Sequence, residues 1–270
     1  MSAPDEISLF EGAAPYYSRY RFGYPPELIS FLVERFALDP STPVLDLGCG
    51  TGQLAIPLAQ HGVPVEAIDP DIEMLAEGLR AEQAAGVAGV AWRRGDDAGL
   101  ARFAIPELRL CTMGASFHWM DRDRLLGLLN DRIAADGGVA VVDGGRGTWS
   151  DSDGGDWSAI ATEVVRDFLG PDRRAGSGVY RHPKDRHEVV LGRSAFSLVS
   201  AHVFTMPRRL SIDDIIGLQL STSYASPGLL KERIHAFRDR LRTRLSAVCP
   251  SGAFEGELSF EVLAAVRPTR

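Results

Sequence analysis

Apolar positions along the first half of the chain alternate between two registers. Short, nearly continuous runs end in polar turns, and stretches with apolar residues every three or four positions follow them. Val44–Leu47, Val63–Asp69, Val87–Arg93, Leu108–Met113 and Val139–Val142 read as strands. Their continuity marks a sheet covered on both faces. Between them, Gln53–Gln60 reads as a helix if Pro57 lies in its first turn. Ile72, Leu75, Ala76 and Leu79 predict a second helix, and Leu125, Leu128, Leu129 and Ile133 a third, stopped by Asp136-Gly137-Gly138. The alternation predicts an α/β fold, a Rossmann-like doubly wound and mostly parallel sheet with its ligand at the carboxyl ends of the strands.

Upstream, Pro25-Pro26-Glu27 opens a helix with apolar Leu28, Ile29, Leu32 and Phe36. Residues 12–24 carry Tyr16, Tyr17, Tyr20, Tyr24, Arg19 and Arg21 with no clear period. Such an arm either covers a site or fills a groove. Beyond Asp143 the alternation stops, and Gly144–Gly147 and Ser150–Gly155 read as loops. Helices are expected near 156–169, 211–220 and 228–246, and strands near 196–205 and 257–266. Ile234, Phe237, Leu241 and Leu245 make an apolar stripe opposite a basic, solvated face.

Composition narrows the function. A chain of 270 residues with 45% hydrophobic content is long enough for one large α/β domain, or for a core domain with an inserted lid. Its formal charge of −7 opposes a phosphate-rich partner, so no nucleic acid is expected and a small-molecule substrate is. No apolar run approaches a membrane span, and acids rather than a basic leader occupy the start, so the expected compartment is cytoplasmic, away from the membrane. Cys49, Cys111 and Cys249 are odd in number and far apart, which suggests neither a disulfide framework nor a metal site.

The candidate chemistry sits after the first strand. Gly48, Gly50 and Gly52 permit positive φ and close backbone approach to a ligand. Their G-x-G-x-G spacing departs from the G-x-G-x-x-G of dinucleotide folds. Asp46, just ahead of them, would repel a pyrophosphate and suits a cationic ligand. Asp69 ends the second strand at the place where an acid meets a ribose, and Asp96 and Asp97 follow the third. S-adenosylmethionine, with a sulfonium, an ammonium and no phosphate, fits these acids best.

Val-Leu-Asp-Leu-Gly-Cys-Gly-Thr-Gly at 44–52, Ile-Asp-Pro-Asp-Ile-Glu-Met-Leu at 68–75, Gly-Asp-Asp at 95–97 and Ser-Phe-His-Trp-Met-Asp at 116–121 resemble successive motifs of class I S-adenosylmethionine-dependent methyltransferases. Within that superfamily the chain is similar to bacterial small-molecule enzymes of the methyltransferase type 11 and trans-aconitate methyltransferase-like kind. The resemblance covers about 12–145 and implies a seven-stranded sheet with its last strand antiparallel and a largely helical substrate lid. Residues 1–145 would hold the arm and cofactor core, and 146–270 the remaining core with lid segments 146–195 and 207–250. It implies that Gly48, Cys49 and Gly50 meet the methionine portion by backbone, Asp69 the ribose, and Met74, Asp96 and Asp97 the adenine end, with Pro70 and Gly114 nearby. Arg21 would pair the methionine carboxylate and Tyr17 would cover the site. The product cofactor would be S-adenosyl-L-homocysteine, and the assembly a monomer or homodimer.

Methyl transfer from a sulfonium is an in-line displacement that rests on positioning and water exclusion. A phenol, amine or carbon acceptor gains from a general base, for which His118 is the candidate. His118, Trp119, Tyr16 and Tyr224 are the candidate acceptor contacts, and His182, His187, Arg173, Arg174, Tyr180 and Arg181 candidate lid residues. The expected activity is methylation of a small secondary metabolite, on oxygen before nitrogen or carbon. A cofactor-binding protein without transfer is the alternative, and a nicotinamide dehydrogenase a remote third.

Overall fold

The computed structural model describes residues 9–149, 157–175, 178–180 and 183–268. Strands Val44–Leu47 (β1), Val65–Asp69 (β2), Val90–Arg94 (β3), Leu108–Gly114 (β4) and Ile133–Trp149 (β5) come first, and a short antiparallel pair, Arg174–Ala175 (β6) and Gly178–Val179 (β7), follows. Leu198–Ser211 (β8) and Ala253–Val266 (β9) close the sheet, whose order is β3-β2-β1-β4-β5-β9-β8. The pairs formed by β3, β2, β1, β4 and β5 are parallel, with Val44 opposite both Val65 and Leu110. Gly138 lies against Ala265 and Val266, whereas Gly144 lies against Phe260 and Ser259, so β9 runs antiparallel to β5. The expected seven-stranded mixed sheet is therefore present, with its last strand inserted beside β5.

The helices are Ala14–Tyr20 (α1), Pro26–Arg35 (α2), Ala55–Gln60 (α3), Ile72–Ala85 (α4), Arg122–Asn130 (α5), Trp157–Leu169 (α6), His187–Gly192 (α7), Ile212–Leu220 (α8), Pro227–Leu230 (α9) and Ile234–Val248 (α10). Pro57 is the third residue of α3, inside the first turn where its missing N–H costs nothing.

Four expectations need correction. The arm at 12–24 contains α1, whose period is hidden because Tyr16 and Tyr20, one turn apart, supply a stacked apolar face from residues with polar tips (ring centroids 6.3 Å). Asp136-Gly137-Gly138 does not stop a helix. Helix α5 ends at Asn130, and these glycines lie within β5, where a side chain at 137 would strike the Arg109 carbonyl and one at 138 the Ala265 carbonyl. Gly144–Gly147 also belongs to β5 rather than to a loop. The helix expected near 228–246 is divided: Lys231, at φ 49°, interrupts it between α9 and α10.

The chain divides into two compact units. The helical unit holds the described residues of Met1–Phe22, Arg146–Arg181 and Met206–Leu258; the sheet unit holds those of Gly23–Gly145, His182–Thr205 and Ser259–Arg270. In the sheet unit, Leu45, Leu47, Ile68, Met113, Phe117, Val139, Phe196 and Leu263 form one buried cluster. In the helical unit, Trp157, Val164, Ile215, Phe237, Leu241, Leu245 and Phe254 form another. The stripe of α10 thus faces inward, while Arg242 and Arg244 on its other side pair with Asp213 and Glu163. Burying each large apolar side chain contributes about 1.5–3 kcal/mol.

Candidate functional site

The turn after β1 is shaped by backbone. Gly48, Gly50 and Gly52 have φ of 70°, 55° and 87°, conformations that side chains oppose. Space enforces the same choice: a Cβ at Gly48 would lie 2.5 Å from that of Ser116, and one at Gly52 2.6 Å from the Trp92 ring. The Gly48 and Cys49 N–H groups donate to the Ile68 carbonyl at 2.8 and 3.1 Å, carrying the β1–β2 pairing into the turn. Ser116 fixes the other side, its hydroxyl donating to the Leu47 carbonyl at 2.7 Å.

Asp69 organises the turn from β2. Its Oδ2 accepts the Gly50 N–H and its Oδ1 the Asp71 N–H, both at 2.9 Å. Each oxygen keeps a lone pair for a further donor. Burial raises its pKa, and the two N–H bonds oppose that rise. Asp71 then caps α4, accepting from the N–H groups of Glu73 and Met74 at 2.8 and 3.3 Å, which sets the buried Met74 beside the strand end. The exposed Pro70 accepts from Arg94 through its carbonyl at 3.2 Å.

Asp46 lies deeper, 1% exposed. Thr112 of β4 donates to its Oδ1 at 2.9 Å, and the Ala55 N–H at the start of α3 also donates to it. Burial, with Asp69 as a smaller contributor, pushes its carboxyl up to about 7 against these two hydrogen bonds. Among the described residues, no cation stands among the groups acting on either carboxylate. The Cys49 thiol is pushed up by burial and by both acids, so it is a packed small residue rather than a nucleophile.

Asp96 and Asp97 follow β3. Asp96 Oδ1 accepts the Gly99 N–H at 2.7 Å, and Asp97 Oδ2 the Asp121 N–H at 3.0 Å. The second contact joins the loop after β3 to the first turn of α5. At the end of β4, a Cβ on Gly114 would lie 2.7 Å from the Tyr24 hydroxyl. His118 occupies the short helical turn Phe117–Trp119, its ring centroid 4.9 Å from that of Trp119.

His187 lies beside this turn, 5.1 Å from the Phe117 ring, with Arg122 Nη1 at 3.2 Å from its Nδ1. The guanidinium can only donate, so His187 Nδ1 accepts and the ring proton rests on Nε2. Burial and then Arg122 hold its pKa below the usual value.

Tyr16, Tyr17, Arg21 and Tyr224 belong to the helical unit. Arg21 lies 4.9 Å from the Tyr17 ring centroid and donates through Nη2 to the Ser221 carbonyl at 3.4 Å. Arg173 sits 4.4 Å from the Tyr180 ring and 5.1 Å from that of Tyr224. His182 and Arg181 lie outside the described residues, as does the Arg174 side chain. The sequence reading missed Thr112, Ser116 and Trp92 as builders of the turn, and Tyr24 beside Gly114 at the end of β4. Thr112 alone left a signal, a hydroxyl inside the apolar run of β4.

The doubly wound, Rossmann-like sheet carries a glycine turn after its first strand and acids at three successive strand ends. Residues 44–137 match the family model described as a methyltransferase domain. An uncharacterized methyltransferase of Mycobacterium tuberculosis is 46% identical over 66 residues, which are 24% of this chain. The match spans 26% of that relative's length. A solved structure provisionally assigned as a type II methyltransferase from Anaeromyxobacter dehalogenans superposes with a TM-score of 0.63 at 19% identity, over 92% of this chain and 98% of the other. The YcgJ protein of Bacillus subtilis gives 0.51 at 14% identity, over 90% and 99%. At these identities the likeness is one of fold. Among the described residues, no helix is long and apolar enough to cross a membrane.

Proposed function

We propose that the protein is an S-adenosylmethionine-dependent methyltransferase acting on a small secondary metabolite, with oxygen as the atom methylated. The observation that carries this reading is the pair of buried carboxylates, Asp46 and Asp69, around a backbone-built turn, with no cation among the groups that the described residues bring to act on them. A cationic, phosphate-free ligand suits that environment, and a pyrophosphate does not. When bound, the cofactor supplies a methyl group already activated on a sulfonium.

The chain's own residues then have distinct tasks. The Gly48–Gly50 backbone holds the methionine portion, and the free lone pairs of Asp69 accept the ribose hydroxyls. Pro70, Met74, Asp96 and Asp97 line the adenine end, with Gly114 nearby. His118, after β4, would accept the proton that an acceptor hydroxyl gives up. Trp119 beside it shields the reacting atoms from water.

Titration calorimetry with S-adenosylmethionine, followed by turnover against a panel of phenols, carboxylates and amines, tests the reading. Asp69→Ala is expected to cost about 1.5–3 kcal/mol of cofactor affinity, roughly 10- to 150-fold. His118→Ala should lower kcat by about 10²–10⁴ and leave the cofactor Kd unchanged. Tight cofactor binding without transfer to any acceptor would replace the reading with that of a binding protein.

A further inference from the structure

The environment of Asp46 differs from that of the other acids in the turn. It lies in the strand that leads into the glycines, and the described groups that act on it are neutral or acidic. Thr112 approaches from β4, the Ala55 N–H from α3, and Asp69 acts on it from β2. Cys49 of the turn and Cys111 of β4 feel its charge, and burial keeps both as thiols. An ionised carboxylate at 1% exposure with two neutral donors is poorly compensated.

The hydroxyl of Thr112 offers a second arrangement. Its Oγ1 lies 2.9 Å from Asp46 Oδ1 and also 3.4 Å from the Leu45 carbonyl. With Asp46 ionised, the hydroxyl hydrogen points to the carboxylate. With Asp46 protonated, the acid's O–H donates to Thr112 Oγ1, and the hydroxyl hydrogen turns to Leu45. Both protonation states find partners without any movement of heavy atoms.

We propose that Asp46 carries a proton in the ligand-free protein and releases it to solvent when the positively charged methyl donor binds, so that cofactor binding is coupled to proton release. On binding, the O–H bond of Asp46 breaks, the proton passes to water and buffer, and the Thr112 hydroxyl swings back to the carboxylate. The ligand's positive charge then balances the negative charge left behind. The coupling rests on the cofactor reading above.

Calorimetry of the full chain with S-adenosylmethionine at pH 7, in phosphate and in Tris, measures the coupling, because buffers of different ionisation enthalpy report the protons exchanged. With the carboxyl at about 7, roughly half a proton per site should be released. Asp46→Asn should bind with equal corrected heats in both buffers. Thr112→Val removes the hydroxyl that favours the ionised form, and should move the pH of half-maximal release upward by a measurable fraction of a unit. Equal heats for the unaltered protein would overturn the coupling and leave the cofactor reading standing. Unchanged release in Asp46→Asn, or an unmoved midpoint in Thr112→Val, would also overturn it. Absence of any binding heat would overturn both.

Discussion

In the sheet unit the residues that define the turn have almost no side chain, whereas in the helical unit the central residues are among the largest. Gly48, Gly50 and Gly52 act through φ values and close contacts, with Asp69 holding Gly50 from the neighbouring strand. Phe237, Trp157 and Phe254 act through volume, filling the space among α6, α8, α10 and the end of β9. The first kind of constraint belongs to one position and tolerates one residue type. The second belongs to a cluster and tolerates any set of similar total volume.

The largest expected effect lies in the helical unit. Phe237 is fully buried and stacks edge-on with Phe168 at 5.5 Å, so Phe237→Ala should cost about 3–5 kcal/mol in denaturant unfolding. A smaller loss on replacement by Leu would fit the volume rule, and an equal loss would break the contrast between the units. Gly48→Ala adds one methyl group yet forces both a strained φ and a clash with Ser116, and should cost about 1–3 kcal/mol with loss of cofactor binding. Retained binding in that variant would mean the turn is less constrained than its geometry requires.

The last expected effect is a slope, spread over a range of pH rather than read at one condition. Asp46 is raised from 3.8 to about 7 in the folded chain, so between those values the folded state holds more protons than the unfolded one. Its contribution to stability is therefore complete in acid, declines as pH rises from about 4 to about 7, and levels off above. Thermal unfolding of the ligand-free protein from pH 4 to 8 should show a shallower decline in Asp46→Asn. An identical slope would remove Asp46 as its source.

The same contrast explains what could be read from the sequence. Glycines at fixed spacing and acids at strand ends are local signals, so the alternating sheet, the turn and the acids at 46, 69, 96 and 97 were legible. The two bonds that tie Asp46 to Thr112 and Ala55 were not, because they depend on which strand lies beside β1 and on where α3 begins. Gly137 and Gly138 misled for a related reason. Glycine after an apolar helix is a common stop, and only the neighbouring strands reveal that these two make room for carbonyls. In the helical unit the stripe of α10 was legible by period, but the break at Lys231 was not, since nothing in that residue type announces a positive φ. Helix α1 escaped notice because its inward face is made of tyrosines.

Trp92 binds three distant positions into one hereditary unit. Its ring occupies the space that a side chain would need at Gly52 in the turn and at Gly78 in α4, with a hypothetical Cβ at 2.6 and 2.5 Å respectively, while its Nε1 donates to Glu82 at 2.7 Å. A lineage cannot enlarge residue 78 while keeping tryptophan at 92, and it can shrink residue 92 only by leaving a hollow beneath the turn. Substitutions at these sites should be inherited in pairs, and the first of each pair should persist only where its suppressor has already arisen.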